Sequence, residues 1–282
     1  MTDQTSYTSE RLTLRHGGRD RIFTVVTPDI IGDRPDVLFY FHGSLQNGNV
    51  ARNFTGRTFD DMAARTGTIL VYPDGVERHF NDTRRGLRER TRDLDIDDVG
   101  FTHAIVDQLR DRRDIGDIHA CGYSNGGQMV LRLLHDAPGL LAGAATFAAT
   151  MPAADNLIDG LGEPVPTPYL AIHGTGDHIV NYDGGVAGLD PAHTRGVLVS
   201  AFESAEYFAD VNGLDDADHT RRAEDALTVD TWSRDGHPPV ELWSITGMGH
   251  VVPTPKDLPP SIGPGTDAIV AADVVAGFFG WE

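Results

Sequence analysis

The sequence holds a single cysteine, Cys121, and a single lysine, Lys256, in 282 residues. A lone thiol rules out an intrachain disulfide and any cysteine-built metal cluster. Its place at the end of an apolar run marks it as a small buried filler. No stretch of about twenty apolar residues occurs, so no membrane-spanning helix is expected. The opening residues, M-T-D-Q-T-S-Y-T-S-E, lack the basic start and apolar middle of an export signal, which predicts a cytoplasmic location. Positive charge is scarce, with 23 Lys and Arg against 42 Asp and Glu and a formal net charge of −19. Such a surface repels phosphate backbones and anionic membranes, which argues against a nucleic-acid partner. It favours neutral substrates over polyanions. The acid excess, mostly aspartate, fits adaptation to high salt, where self-repulsion is screened. Neither G-x-G-x-x-G nor G-x-x-x-x-G-K-[ST] is present, so no nucleotide cofactor is expected. No ligand spacing links His42 to His173, so no metal or other cofactor is expected either.

What is present centres on residues 118–128, I-H-A-C-G-Y-S-N-G-G-Q. An apolar run ends at Cys121, a sharp turn carries Ser124 at its apex, and helical periodicity resumes from Gln128. A serine there sits at strained backbone angles, so bulk two residues to either side would clash, and Gly122 and Gly126 remove it. The pattern G-x-S-x-G between strand and helix is that of the nucleophile elbow in α/β-hydrolases.

The rest of the chain alternates strands with helices. Arg11–Leu14 and Arg21–Val26 read as an edge hairpin. Val37–Phe41 and Thr68–Tyr72 are continuous apolar runs, as strands covered on both faces should be. Residues 45–57 read as a polar loop, Phe59–Arg65 as a helix, and 76–96 as a solvated loop whose acids largely offset its arginines. A helix begins at Asp97-Asp98 and runs to Leu109, its aspartates suited to the N-terminus; Val99, Ala104, Ile105 and Leu109 would face inward. Further strands are expected at Leu141–Ala148, 168–173 and Val240–Ile245, with helices at Ser200–Val211 and Ala268–Phe279. Residues 213–236 show no clear pattern. The sum is an α/β fold with a mostly parallel sheet flanked by helices, in one domain over 1–282 without a separate cap. Residues 45–57, 76–96 and 183–236 could roof a cleft.

Ligands in such sheets lie beyond the carboxyl ends of the strands, so the partners of Ser124 should follow strands. His250, in G-M-G-H after the 240–245 strand, is the expected general base. Asp177, in G-T-G-D after the 168–173 strand, is the expected orienting carboxylate, with Asp183 and Asp190 as rivals. His173 and His178 read as structural. The order Ser124, Asp177, His250 is that of α/β-hydrolases. Oxyanion charge needs donors, and the Asn125 N–H at the start of the elbow helix and the Ser44 N–H after the 37–41 strand are placed to provide them.

Several spaced motifs then converge: F-H-G-S at 41–44, V-Y-P-D-G at 71–75, D-D-V-G-F at 97–101, G-Y-S-N-G-G at 122–127, H-G-T-G-D at 173–177, N-Y-D-G-G at 181–185 and G-M-G-H at 247–250. From about residue 20 to the last helix the chain resembles the polyhydroxybutyrate depolymerase / feruloyl esterase group of α/β-hydrolases. The resemblance implies a Ser124–Asp177–His250 triad with Ser44 and Asn125 as the oxyanion hole. The family's W-N-D loop stands here as Phe80-Asn81-Asp82, and its Trp-Pro pair after the histidine as Val251-Val252-Pro253. Both departures leave acyl and alcohol preference open. His42, Phe80 and Tyr123 are expected to line the substrate pocket. The expectation is a serine esterase for short-chain, hydroxyalkanoate or feruloyl-type esters. The alternatives are a peptidase of the same fold or a non-catalytic binding protein.

Overall fold

Five runs of apolar residues set the architecture. In the computed structural model, which describes residues 6–188 and 193–281, strands β3 (Val37–Phe41), β4 (Ile69–Pro73), β5 (Ile118–Tyr123), β6 (Gly143–Phe147) and β7 (Tyr169–Gly174) are buried at every position. Side chains alternate faces along a strand, so such a run forms only where helices cover both faces. The preceding hairpin is β1 (Tyr7–His16) and β2 (Arg19–Pro28), longer than the apolar alternation alone indicates. β8 (Gly185–Gly188) and β9 (Thr194–Leu198) form a separate two-stranded sheet, and β10 (His219–Glu224), β11 (Leu227–Trp232) and β12 (Val240–Ile245) complete the main one.

The ten-stranded sheet has the order β1-β2-β4-β3-β5-β6-β7-β12-β11-β10. The six strands from β4 to β12 are parallel, and antiparallel hairpins finish each edge. The chain leaves β3 toward β4 on one side and returns to β5 on the other. This reversal opens a crevice at the strand ends, where ligands of such sheets bind. Both outermost strands carry mostly exposed polar residues, β10 as H-T-R-R-A-E, which blunts edge-to-edge pairing.

The helices are α1 (Gly48–Phe54), α2 (Thr58–Thr66), α3 (Arg90–Asp93), α4 (Asp98–Arg112), α5 (Asn125–Asp136), α6 (Ala201–Val211) and α7 (Ala271–Phe278). Three sequence expectations change here. The 45–57 segment contains α1, because the Asn47 side chain accepts from Val50 N and starts the helix. The 76–96 segment is not a solvated loop throughout: residues 79–84, Leu87, Thr91 and Ile96 are buried. In α4 the inward side chains are Phe101, Ile105, Val106 and Leu109, while Val99 and Ala104 are only half-buried. No helix among the described residues is long and apolar enough to cross a membrane.

Candidate active site

Ser124 lies between β5 and α5 at φ 53°, ψ −115°, a backbone state that costs a non-glycine residue about 1–3 kcal/mol and persists only where its surroundings enforce it. They do so through close packing. A Cβ on Gly122 would stand 2.3 Å from the Gly126 carbonyl oxygen, and one on Gly126 would stand 2.0 Å from that of Phe41. The Ser124 N–H donates to Phe147 O at 2.9 Å and seats the turn on β6.

Asp177 and His250 follow the adjacent parallel strands β7 and β12. His250 Nε2 is 2.9 Å from Ser124 Oγ, and its Nδ1 is 2.7 Å from Asp177 Oδ2. Three side chains separated by up to 126 positions thus form one hydrogen-bonded chain. Asp177 Oδ1 accepts from the Ile179 and Val180 N–H groups, each at 2.9 Å, which fixes the carboxylate plane. Burial on its own would raise the Asp177 pKa. Hydrogen bonds from His173 and His250, with the positive charge an imidazole carries when protonated, outweigh burial and hold it well below the usual carboxylate range. His173, read from sequence as structural, has its Nε2 2.8 Å from Val180 O and 3.4 Å from Asp177 Oδ2. Of the rival carboxylates Asp183 is exposed, and Asp190 lies outside the described residues. His178 is exposed as well.

The two proposed oxyanion donors lie on the loops after β3 and β5. Among the described residues neither the Ser44 nor the Asn125 N–H has a protein acceptor. The Asn125 side chain is fully occupied. Its Oδ1 accepts from Phe80 N at 2.8 Å, and its Nδ2 donates to Phe80 O at 3.0 Å and Asp82 Oδ2 at 2.7 Å. One residue later the Asn81 N–H donates to Asp98 Oδ2, and Asp98 is paired with Arg21 at 2.6 Å. The helix-capping role expected of both aspartates therefore belongs to Asp97, which accepts from Gly100 N. Asp98 is instead part of a buried polar brace behind the elbow.

Two residues expected at the pocket do not line it. His42 is fully buried. Its Nε2 accepts from the Gly75 N–H at 2.9 Å, which makes Nδ1 the donor to Gly43 O at 2.8 Å. Desolvation lowers its pKa to about 4, so it is a neutral support for the Ser44 loop. Phe80 is also fully buried, edge-on against Phe41. Tyr123 does reach the cavity and also donates its hydroxyl to His250 O at 2.7 Å. Its ring explains Gly43, where a Cβ would stand 2.6 Å from Tyr123 Cδ1.

The cavity over Ser124 has a volume of about 240 Å³. Ser44, Leu45, Tyr123, Ser124 and His250 form its floor, and Ile179, Val180, Ala187 and Ile262 give an aliphatic wall. Arg84, Gly188, His193 and Arg195 complete the described lining. Neither Arg84 nor Arg195 stands out in the sequence: 76–96 reads as a solvated loop, although its arginines could attract an acidic ligand, and 183–236 reads only as a stretch that could roof a cleft. Larger hollows, of about 540 and 660 Å³, occur elsewhere, but neither adjoins Ser124 or His250.

Comparison with known proteins agrees with this architecture. Residues 90–193 match the Phospholipase/Carboxylesterase family model. A putative esterase, NocK, from Nocardia uniformis subsp. tsuyamanensis is 32% identical over 173 residues, which are 58% of this chain and 47% of the relative. Feruloyl esterase C of Emericella nidulans is 32% identical over 129 residues, 45% of this chain and 42% of the relative. The chain thus spans less than half the length of either relative. Among solved structures, an acetyl xylan esterase from Aspergillus awamori superposes with a TM-score of 0.66 at 14% identity, covering 98% of this chain and 100% of that one. At that identity the likeness is one of fold.

Proposed function

We propose that this carboxylesterase- and feruloyl-esterase-like α/β-hydrolase cleaves carboxylic esters through an acyl-enzyme on Ser124. The observation that carries the reading is the continuous hydrogen-bonded path Ser124–His250–Asp177 beside two unbonded amide N–H groups. In the first half-reaction His250 Nε2 takes the proton of Ser124 as Oγ attacks the acyl carbonyl. The Ser44 and Asn125 N–H groups receive the developing oxyanion. Asp177 keeps the Nδ1 proton in place and stabilises the imidazolium, for which its firmly ionised state suits it. His250 then protonates the leaving alcohol. Water, deprotonated by the same imidazole, cleaves the acyl-enzyme and releases the acid.

The cavity supports small esters. Its 240 Å³ lies below the roughly 300 Å³ where pockets for drug-sized ligands begin. Tyr123 is the one phenol or phenyl ring among the described lining residues. A short aliphatic acyl group fits that wall better than a feruloyl ring or a polymer strand. The test is hydrolysis of p-nitrophenyl acetate, butyrate and ferulate by the parent and by Ser124→Ala. Turnover of the short aliphatic esters that vanishes in the variant is expected, and equal turnover by both proteins overturns the proposal. Cleavage of a peptide p-nitroanilide at comparable efficiency would shift the reading to a peptidase.

A further inference from the structure

In a protein of net charge −19, the cavity over Ser124 has no carboxylate among its described lining residues, yet two guanidinium side chains border it. Arg84 is 4% exposed and Arg195 20% exposed by side chain, and neither is a freely swinging surface residue. Asp82 holds Arg84 through Nε and Nη2, and Glu89 holds Nη2 of Arg195. The segments bearing them are stapled together by Asn156. Its Oδ1 accepts from Gly86 N, and its Nδ2 donates to Arg195 O and Val197 O. Gly86 itself lies so close to the Arg195 backbone that a Cβ would stand 2.7 Å from its carbonyl carbon. The two cations are thus presented to the cavity by a fixed scaffold.

The carboxylates behind them do not cancel the positive field. Asp82 is shared by Arg84 and Arg92, the latter at 3.9 Å, and both Asp82 and Glu89 lie outside the cavity lining. His79, 3.7 Å from Glu89, is pushed toward its neutral form by burial. Low-dielectric walls concentrate such a field in a cleft, whatever the sign of the overall charge. With Nε and Nη2 of Arg84 given to Asp82 and Nη2 of Arg195 to Glu89, the remaining guanidinium N–H groups, chiefly those of Arg195, supply directional donors for a ligand carboxylate that a diffuse field lacks.

We propose that the substrates are esters whose acyl part ends in a second, ionised carboxylate, the monoesters of short dicarboxylic acids, with Arg84 and Arg195 forming the subsite for that group. The inference rests on the ester-hydrolase reading above. The acyl–oxygen bond breaks, one proton of water goes to the leaving alcohol, its oxygen joins the acyl carbon, and the new acid releases the other proton to solvent and departs as the dicarboxylate. A single anionic terminus satisfies the subsite, so the general expectation that this acidic protein avoids polyanions still holds for the molecule as a whole.

The test compares p-nitrophenyl hexanoate with the mono-p-nitrophenyl ester of adipic acid, the same six-carbon acyl chain with its methyl end replaced by carboxylate. At low ionic strength kcat/KM for the adipate ester should exceed that for the hexanoate by about tenfold or more, the scale of a charge-assisted hydrogen-bonded pair. The ratio should shrink with added NaCl and fall toward unity in Arg195→Gln, while Arg195→Lys retains part of it. A parent enzyme that prefers the hexanoate or treats the two alike overturns the proposal. Calorimetry on Ser124→Ala with monomethyl adipate reads the subsite without turnover, and binding should be lost in Ser124→Ala/Arg195→Gln. Failure to cleave either ester, with monomethyl adipate still bound in an Arg195-dependent way, would sink the esterase reading and leave the subsite standing. No binding would remove the subsite alone.

Discussion

The floor of the cleft and the outer strand of its roof are built on opposite principles. The floor, from the Ser44 loop to the elbow, is fixed by directional polar bonds: His42 to Gly75, Asn125 to Phe80 and Asp82, and Asp98 to Asn81 and Arg21. In the roof, β9 is held in place by Asn156, but β8 rests on a small apolar cluster of Val180, Ala187 and Leu198 and leaves Val186 exposed. Hydrogen bonds to buried groups define positions to a fraction of an ångström, as charge stabilisation in a transition state requires. A few aliphatic contacts define a shape that adapts to what enters. Rate should therefore be set by the floor and substrate choice by the roof.

Substitutions can break or sharpen that contrast. The largest effect is expected for Asp177→Asn, which leaves the packing but loses the charge opposite His250. kcat should fall about 10³–10⁴-fold with KM little changed, measured by steady-state kinetics. The same variant tests the linkage to stability. Because the folded-state pKa lies below the unfolded value near 4, the carboxylate's contribution is complete above about pH 4 and drains as pH falls toward the folded value. The gap between parent and variant urea midpoints should accordingly be wider at pH 7 than at pH 3.5.

His42 comes next. Its folded pKa of about 4 lies below that of a free histidine, so the unfolded chain takes up the proton first as pH falls. Stability is fully present above about pH 6.5 and should decline by as much as ~3 kcal/mol down to about pH 4, a slope that His42→Asn should flatten in denaturant titrations. Asn125→Leu removes the side chain that ties the elbow to 80–82. A fall in kcat of about 10–100-fold with KM within about threefold is expected. A matching change confined to KM would mean that the brace serves binding. The smallest effect belongs to the roof, where Val186→Ser should leave kcat within about twofold and stability within about 0.5 kcal/mol. A large loss of kcat there would erase the distinction between the two regions.

The parts of this design differ in how far the sequence discloses them. β3 and β12 were legible to the residue because a buried strand needs an unbroken or alternating apolar run, and that requirement is local. Ser124, Asp177 and His250 were placed by their position just after such strands. The brace was not legible. Asp82 and Asp98 read as ordinary charged loop or cap residues, and the partners that hold them lie 17 to 77 positions away. Pairing at that range leaves no periodic trace. His42 was expected at the pocket because it directly follows β3, and Phe80 because it opens the F-N-D loop, yet His42 bonds back to Gly75 and Phe80, in the loop after β4, packs on Phe41, so both lie beneath the cavity. The β10–β11 hairpin escaped notice because an edge strand made of H-T-R-R-A-E presents no apolar face.

Arg21 stands on β2, the second strand from the sheet's edge, and its guanidinium closes on Asp98 and lies 4.1 Å from the centre of the Phe101 ring. A residue about a hundred positions upstream of Ser124 therefore anchors the far end of the scaffold around it. Clipping the first hairpin with a protease would leave Ser124, Asp177 and His250 on the remaining polypeptide, yet it would strip Asp98, on which the Asn81 N–H rests, of its buried charged partner.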